Sequence, residues 1–296
     1  MNRILSFSLV ASLLIFTGCD IVEDPIIIVG SQYQSWEYGA APEFDAATND
    51  MIFQRVFIED FTGHDCGNCP GAAALAAQLK ANNPDEIIVV GVHAGALAQP
   101  ILPEFPSDFT TEAGEAWFSE LEFPYNPVGR INRSPGLGTS LFEAEWTDIV
   151  DAEMDLEPDA VVQMAVEFIP EANHLNVHVF SEILNDIEGQ VKMVLIVTED
   201  GLEGPQLDYD QVDDPDTPEN EQIIEEYEFE HVLRGTINGS YGVIIGTDML
   251  ANEASLKSYT YEWPEDWSVD HSNVIAVVFE ATNGRVLNSM EVHLDA

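Results

Sequence analysis

The spacing of apolar residues changes its period near residue 158, and that change limits what the chain can fold into. Before it, β-branched runs alternate with stretches rich in Ala and Leu. Residues 52–61 are strand-like and 62–65 form a turn. Residues 70–81 (PGAAALAAQLKA) have helical composition, stopped by Asn82, Asn83 and Pro84. Residues 87–92 (IIVVGV) form the continuous β-branched run expected of a buried parallel strand. Strand, helix and strand at this spacing predict a right-handed β-α-β crossover. Further helices are expected over 108–121 and 142–154, with a short strand at 128–132 between them.

After Pro158 the period becomes two. Segments 161–168, 175–183, 191–197, 228–237, 241–245, 258–263, 273–281 and 285–294 alternate and are separated by Gly, Asn, Asp and Pro. Short strands at this spacing predict an antiparallel β-sandwich of the Ig-like kind. The expected fold class is therefore α/β plus all-β, with an α/β domain at 51–157 and a β-sandwich domain at 158–296. A length of 296 residues suits two domains. Residues 208–222 read as a long acidic loop. Asp208, Asp210, Asp213, Asp214 and Asp216 offer oxygen ligands to Ca²⁺, but the loop lacks the glycine of an EF-hand and is read as solvated.

The first residues read as a leader. Arg3 precedes an apolar run from residue 4 to 16, too short for a membrane-spanning helix of roughly 20 residues but suited to a signal peptide. The run ends in Ile15-Phe16-Thr17-Gly18-Cys19, which resembles a bacterial lipobox. Residues 1–18 are expected to be removed, Cys19 to carry lipid, and residues 19–50 to form a tether, with 26–29 able to add an edge strand. The alternative is a plain secretory signal or an anchor helix. With Cys19 acylated, only Cys66 and Cys69 remain, in a compartment where disulfides persist.

Charge excludes whole classes of partner. Nine basic residues face 54 acidic ones, a net charge of −45, and the acids run through both halves of the chain. Such a surface repels nucleic acid and anionic headgroups. Lysine occurs only at Lys80, Lys192 and Lys257, a composition that suits a saline environment where salt screens self-repulsion.

Cys66-Gly67-Asn68-Cys69-Pro70 falls where a strand turns into a helix. There the unpaired first amides and the positive end of the helix dipole stabilise a thiolate on Cys66. Cys69 lies one turn on and can close a disulfide, and Pro70 suits the first helical turn. Cys66 is expected to be the more exposed and reactive sulfur. Asp65 opposes thiolate formation, and His64 is read as a solvated turn residue. There is no second C-x-x-C, and His174 and His178, on one face of a strand, have no third ligand nearby, so a zinc site is not expected and no cofactor is called for.

This region resembles the thioredoxin-like superfamily. The motif follows a central strand, Asp60-Phe61 stands just before it, a β-α-β unit follows, and Pro127 precedes a short strand. The resemblance implies that Asp60 assists proton transfer and that Pro127 is a cis-proline facing the sulfurs. A wider resemblance rests on Phe61-Thr62-Gly63-His64, on DFTTEAG at 108–114, on NPVGRINR at 126–133 and on EHVLRG at 230–235. These segments resemble the Omp family of roughly 28-kDa outer-membrane lipoproteins, which implies architecture and location more firmly than a reaction. It implies a thioredoxin-like domain joined to a C-terminal β-domain and a lipid anchor in the outer membrane.

Two functions fit. In one, the tethered protein is a thiol–disulfide oxidoreductase acting on envelope proteins through Cys66, Cys69, Asp60 and Pro127. In the other, the disulfide is structural and the β-domain binds a partner in the envelope. Arg130 and Arg133 follow Pro127 and are expected to pair with carboxylates.

Overall fold

A computed structural model of the chain describes residues 31–134, 136–211 and 222–295. The expected leader, Cys19, the early tether with its strand at 26–29, and Asp213, Asp214 and Asp216 lie outside the described residues.

Two short elements come first, β1 (Ser31–Gln32) and α1 (Ser35–Tyr38). The α/β stretch follows as β2 (Val56–Thr62), α2 (Cys69–Asn82), β3 (Ile87–His93), α3 (Glu112–Ser119), β4 (Val128–Ile131) and α4 (Glu143–Met154). β2 and β3 pair in parallel with Asp60 opposite Gly91, and β4 runs antiparallel to β2. Every residue of β2 and β3 is buried, which accounts for their unbroken apolar runs. α3 is shorter than expected because Thr111 caps it, accepting a hydrogen bond from the Gly114 amide at 2.9 Å.

The remaining strands are β5 (Ala160–Ile169), β6 (His174–Ile183), β7 (Ile187–Glu199), β8 (Leu202–Leu207), β9 (Ile223–Phe229), β10 (Val232–Thr236), β11 (Val243–Met249), β12 (Ala254–Glu262), β13 (Ser272–Glu280) and β14 (Val286–His293). A four-stranded sheet has the order β1-β12-β6-β5, and β8 pairs with β9 alone. The largest sheet has eight strands in the order β14-β13-β7-β10-β3-β2-β4, with β11 also on β7.

That largest sheet corrects the expected fold class. The chain is not a thioredoxin-like domain followed by an Ig-like sandwich; it is mostly β, and strands from both halves share one mixed sheet. β10 joins them, parallel to β3 at Val232–Gly91 and antiparallel to β7 at Val232–Glu199. The sandwich expectation failed on β7 and β13, which are buried on both faces. Met193, Leu195 and Val197 pack into one core with β5, β6 and β12, whereas Val194 and Ile196 pack into another beneath α3. A strand covered on both sides belongs to the middle of a molecule. The expected strand at 228–237 is in fact two, broken at His231, where φ is +57°. Its first part stays with β9 and its second enters the large sheet.

A third core lies under α2 and α4, where Val56, Ile58, Ile87, Val89 and Ile131 meet Ala72, Ala76, Trp146 and Val150. The alternation in β2 and β3 puts Asp60, Val89, Gly91 and His93 on this same face, beneath the start of α2.

Candidate functional site

The chain leaves β2 at Thr62, turns, and enters α2 at Cys69, so Cys66 stands before the helix and Cys69 in its first turn. The two are joined in a disulfide with Cα atoms 5.4 Å apart, and the Cys69 amide donates to the Cys66 carbonyl at 3.1 Å. Pro70 follows, where a missing N–H costs nothing.

Both cysteines are covered: Cys66 is 3% exposed and Cys69 1%, so the expected ordering is slight and neither residue is open to solvent. The cover is the two-stranded arm β8–β9, from far along the chain. Gln206 Nε2 donates to the Cys66 carbonyl at 3.1 Å and to the Leu207 carbonyl at 2.7 Å. The Leu207 amide donates to the His64 carbonyl and the Tyr209 amide to the Gly67 carbonyl, each at 2.9 Å. The Tyr209 ring lies so close that a Cβ on residue 67 would approach it to 2.6 Å, so any larger residue there would push the ring aside. His64 is not solvated either. It is buried, stacked on Phe105 with centroids 5.1 Å apart, and its Nε2 lies 2.9 Å from the Gln99 carbonyl.

On its other side the disulfide borders a cavity of about 160 Å³ between α2 and the arm. Asp60, Gly91 and His93 line it together with Cys69, between Ala73 and Ala77 of α2 and Tyr227 and Phe229 of β9. Asp60 is 3% exposed, and its Oδ1 has no hydrogen-bond partner among the described residues. Burial, with the Glu143 carboxylate adding to it, pushes Asp60 up to about 7. His93 is equally buried, and neither ring nitrogen has a partner among the described residues. Burial and the neighbouring His64 lower it to about 3, so it is neutral. Its ring meets Phe109 and Phe229 edge-on at 5.2 and 5.3 Å.

The structure thus brings Asp60, Cys66 and Cys69 together. Pro127 follows a cis bond from Asn126 and sits half-buried at the head of β4, outside the cavity lining. Cys19 lies outside the described residues. Arg130 and Arg133 pair inward with Glu59, at 2.8 and 2.7 Å, on the opposite face of β2. Burial pushes Glu59 up, but the two guanidiniums outweigh it and hold its carboxyl below the usual range. Sequence reasoning missed His93, Gln206, Tyr209 and Tyr227. The arm residues stand about 140 positions from Cys66, so no local pattern could have flagged them.

Fold and site define a class: a mostly β protein whose shared mixed sheet carries a covered C-x-x-C disulfide at the start of a helix. The chain belongs to the outer membrane protein Omp28 family, whose profile matches residues 119–296. Its location is therefore the outer membrane. No described helix is long and apolar enough to cross a membrane. The matched range begins beyond Cys66 and Cys69, so membership speaks for the location and the later strands and not for the disulfide site.

Among solved structures, HBP35 of Porphyromonas gingivalis is similar with a TM-score of 0.62 at 16% identity, over 82% of this chain and 76% of that one. A protein from Agrobacterium tumefaciens gives 0.48 at 11% identity, over 80% and 93%. A domain of the outer membrane lipoprotein Omp28 from P. gingivalis gives 0.29 at 16% identity, over 47% and 89%. Of these three, the HBP35 likeness alone speaks for a shared fold, and at that identity for the fold only. No match was found among curated proteins.

Proposed function

We propose that the protein is held at the outer membrane by lipid on Cys19 and exchanges disulfides with other envelope proteins through Cys66 and Cys69. One observation carries this reading: Asp60, a buried carboxyl that ionises near neutrality, lines the same cavity as Cys69. A disulfide that serves only as a staple has no use for a proton donor beside its inner sulfur.

The steps balance without a further reagent. A thiolate of a substrate protein attacks the Cys66 sulfur, the Cys66–Cys69 bond breaks, and Cys69 leaves as a thiolate that takes the Asp60 proton. A second substrate thiolate then attacks the substrate sulfur of the mixed disulfide. This releases Cys66 and leaves the substrate oxidised by two electrons and the pair reduced. The reverse sequence, with Asp60 accepting the Cys69 proton, passes those electrons to the disulfide of another envelope protein. Attack on Cys66 requires that Gln206 and Tyr209 move away, so the arm sets access to the site.

The burial of both cysteines favours a second reading, in which the bridge is structural and the protein is a binding component of the envelope. Turnover separates the two. Wild-type protein is expected to rearrange a scrambled-disulfide substrate, and Cys66→Ala to have no such activity. Wild-type protein as inactive as Cys66→Ala would leave the binding reading in place.

A further inference from the structure

We propose that the cavity between α2 and β9 is a binding site for an organic cation, a primary ammonium or amidinium carried on a short apolar body. The inference goes beyond disulfide exchange and does not rest on it, because binding is read on the resting, oxidised protein.

The cavity's volume, about 160 Å³, is close to that of cavities that take up benzene, roughly 150 Å³. Ala73 and Ala77 form one wall, where small side chains leave room, and Tyr227 and Phe229 form the facing one. Aromatic faces and alanine methyls suit an apolar body and, through the ring quadrupoles, a cation. At the floor stands Asp60, nine-tenths or more buried, with Oδ1 unpartnered. An ionised carboxylate without a counter-charge is costly in such a place. Yet no lysine or arginine lines the cavity. Among the described cations, Lys80 pairs with Glu291, Arg130 and Arg133 with Glu59, Arg234 with Glu199, and Arg285 with Asp159 and Glu280. At the mouth Glu228 and Glu230 are exposed and add negative charge. Shape, wall chemistry and floor charge converge on one ligand class, whose cationic head supplies the charge that no lysine or arginine of the lining provides.

The titratable groups facing Asp60 are few. β3 contributes His93, the arm Tyr227 and Glu228, and the turn into β10 Glu230 and His231; α2 contributes none, and the Glu143 carboxylate acts from α4. His93 is neutral through the range in question, and Asp60 is the buried carboxyl at the floor whose ionisation the ligand's charge meets. Binding should strengthen as pH rises through about 7.

The test measures binding of benzylammonium and of its neutral counterpart benzyl alcohol to the full chain in detergent. High salt screens diffuse attraction by the acidic surface. Benzylammonium is expected to bind at least about tenfold more tightly above the Asp60 midpoint, and Asp60→Asn to erase that preference. Ala77→Trp, at an exposed position of α2, fills the cavity without touching the core; it should abolish binding of both ligands, and it carries the test if Asp60→Asn fails to fold. A lysine-ended peptide, compared with its norleucine analogue, tells the source of the cation. Tighter binding of that peptide than of benzylammonium assigns the site to a protein side chain, and the reverse assigns it to a free amine. Equal affinity for benzylammonium and benzyl alcohol, or binding that survives Ala77→Trp, overturns the proposal.

Discussion

Asp60 and His93 face one cavity and pull stability in opposite directions with pH. Asp60 ordinarily ionises at 3.8 but in the folded protein at about 7, so it stabilises the fold below 3.8 and loses that contribution as pH rises to about 7. His93 is depressed from 6.5 to about 3; its contribution is present above 6.5 and is lost as pH falls toward 3. Asp60→Asn removes the first effect alone. Its melting temperature relative to wild type is expected to climb between pH 3.8 and about 7 and then level off. A constant difference across that range would mean that Asp60 is not held near neutrality. At this scale the sequence was informative where chemistry is local. Cys66 and Cys69 were legible because the motif lies on one strand–turn–helix, and Asp60, six positions before it, through the resemblance that the motif carries. His93 was not legible, because a lone histidine after a β-branched run carries no sign that the strand extends to bury it.

Among the elements, the β8–β9 arm decides whether the disulfide can be reached. Its hold on the motif consists of the Gln206 hydrogen bonds, the Leu207 and Tyr209 amides, and the Tyr209 ring over Gly67. Single hydrogen bonds contribute only about 0.5–1.5 kcal/mol net, so local opening is within reach of a small loss of contacts. Gln206→Ala combined with Tyr209→Ala is expected to speed reduction of Cys66–Cys69 by a small dithiol about tenfold, with little change in melting temperature. An unchanged rate would show that the arm is not what limits access. β2, β3, α2 and α4 were legible within a few residues because their periods are strong. The arm was not, since 228–237 reads as one alternating run and nothing local marks the break at His231. The first half is placed by β8 and the second by β7 and β3, partners that a local pattern does not name.

For the whole molecule, the strand β10 between β7 and β3 makes the two halves share a sheet. Residues 51–157 and 158–296 are therefore expected to unfold in one calorimetric transition despite the change of period at 158. Two resolved transitions would indicate independent units. The net charge of −45 acts on the molecule as a whole. Salt screens its self-repulsion, so the melting temperature is expected to rise markedly between low and molar salt, and a flat response would remove charge as a factor. The family and its outer-membrane location were legible in scattered motifs. The shared sheet was not, because period reveals that a strand is buried but not what it is buried against. The proposed disulfide exchange with envelope proteins is tested most directly by trapping in cells. Full-length Cys69→Ala lacks the sulfur that resolves a mixed disulfide, so it is predicted to accumulate reducible adducts with envelope proteins, and the double variant Cys66→Ala/Cys69→Ala to accumulate none. A Cys69→Ala protein that reaches the outer membrane in normal amount and carries no adduct would contradict the account.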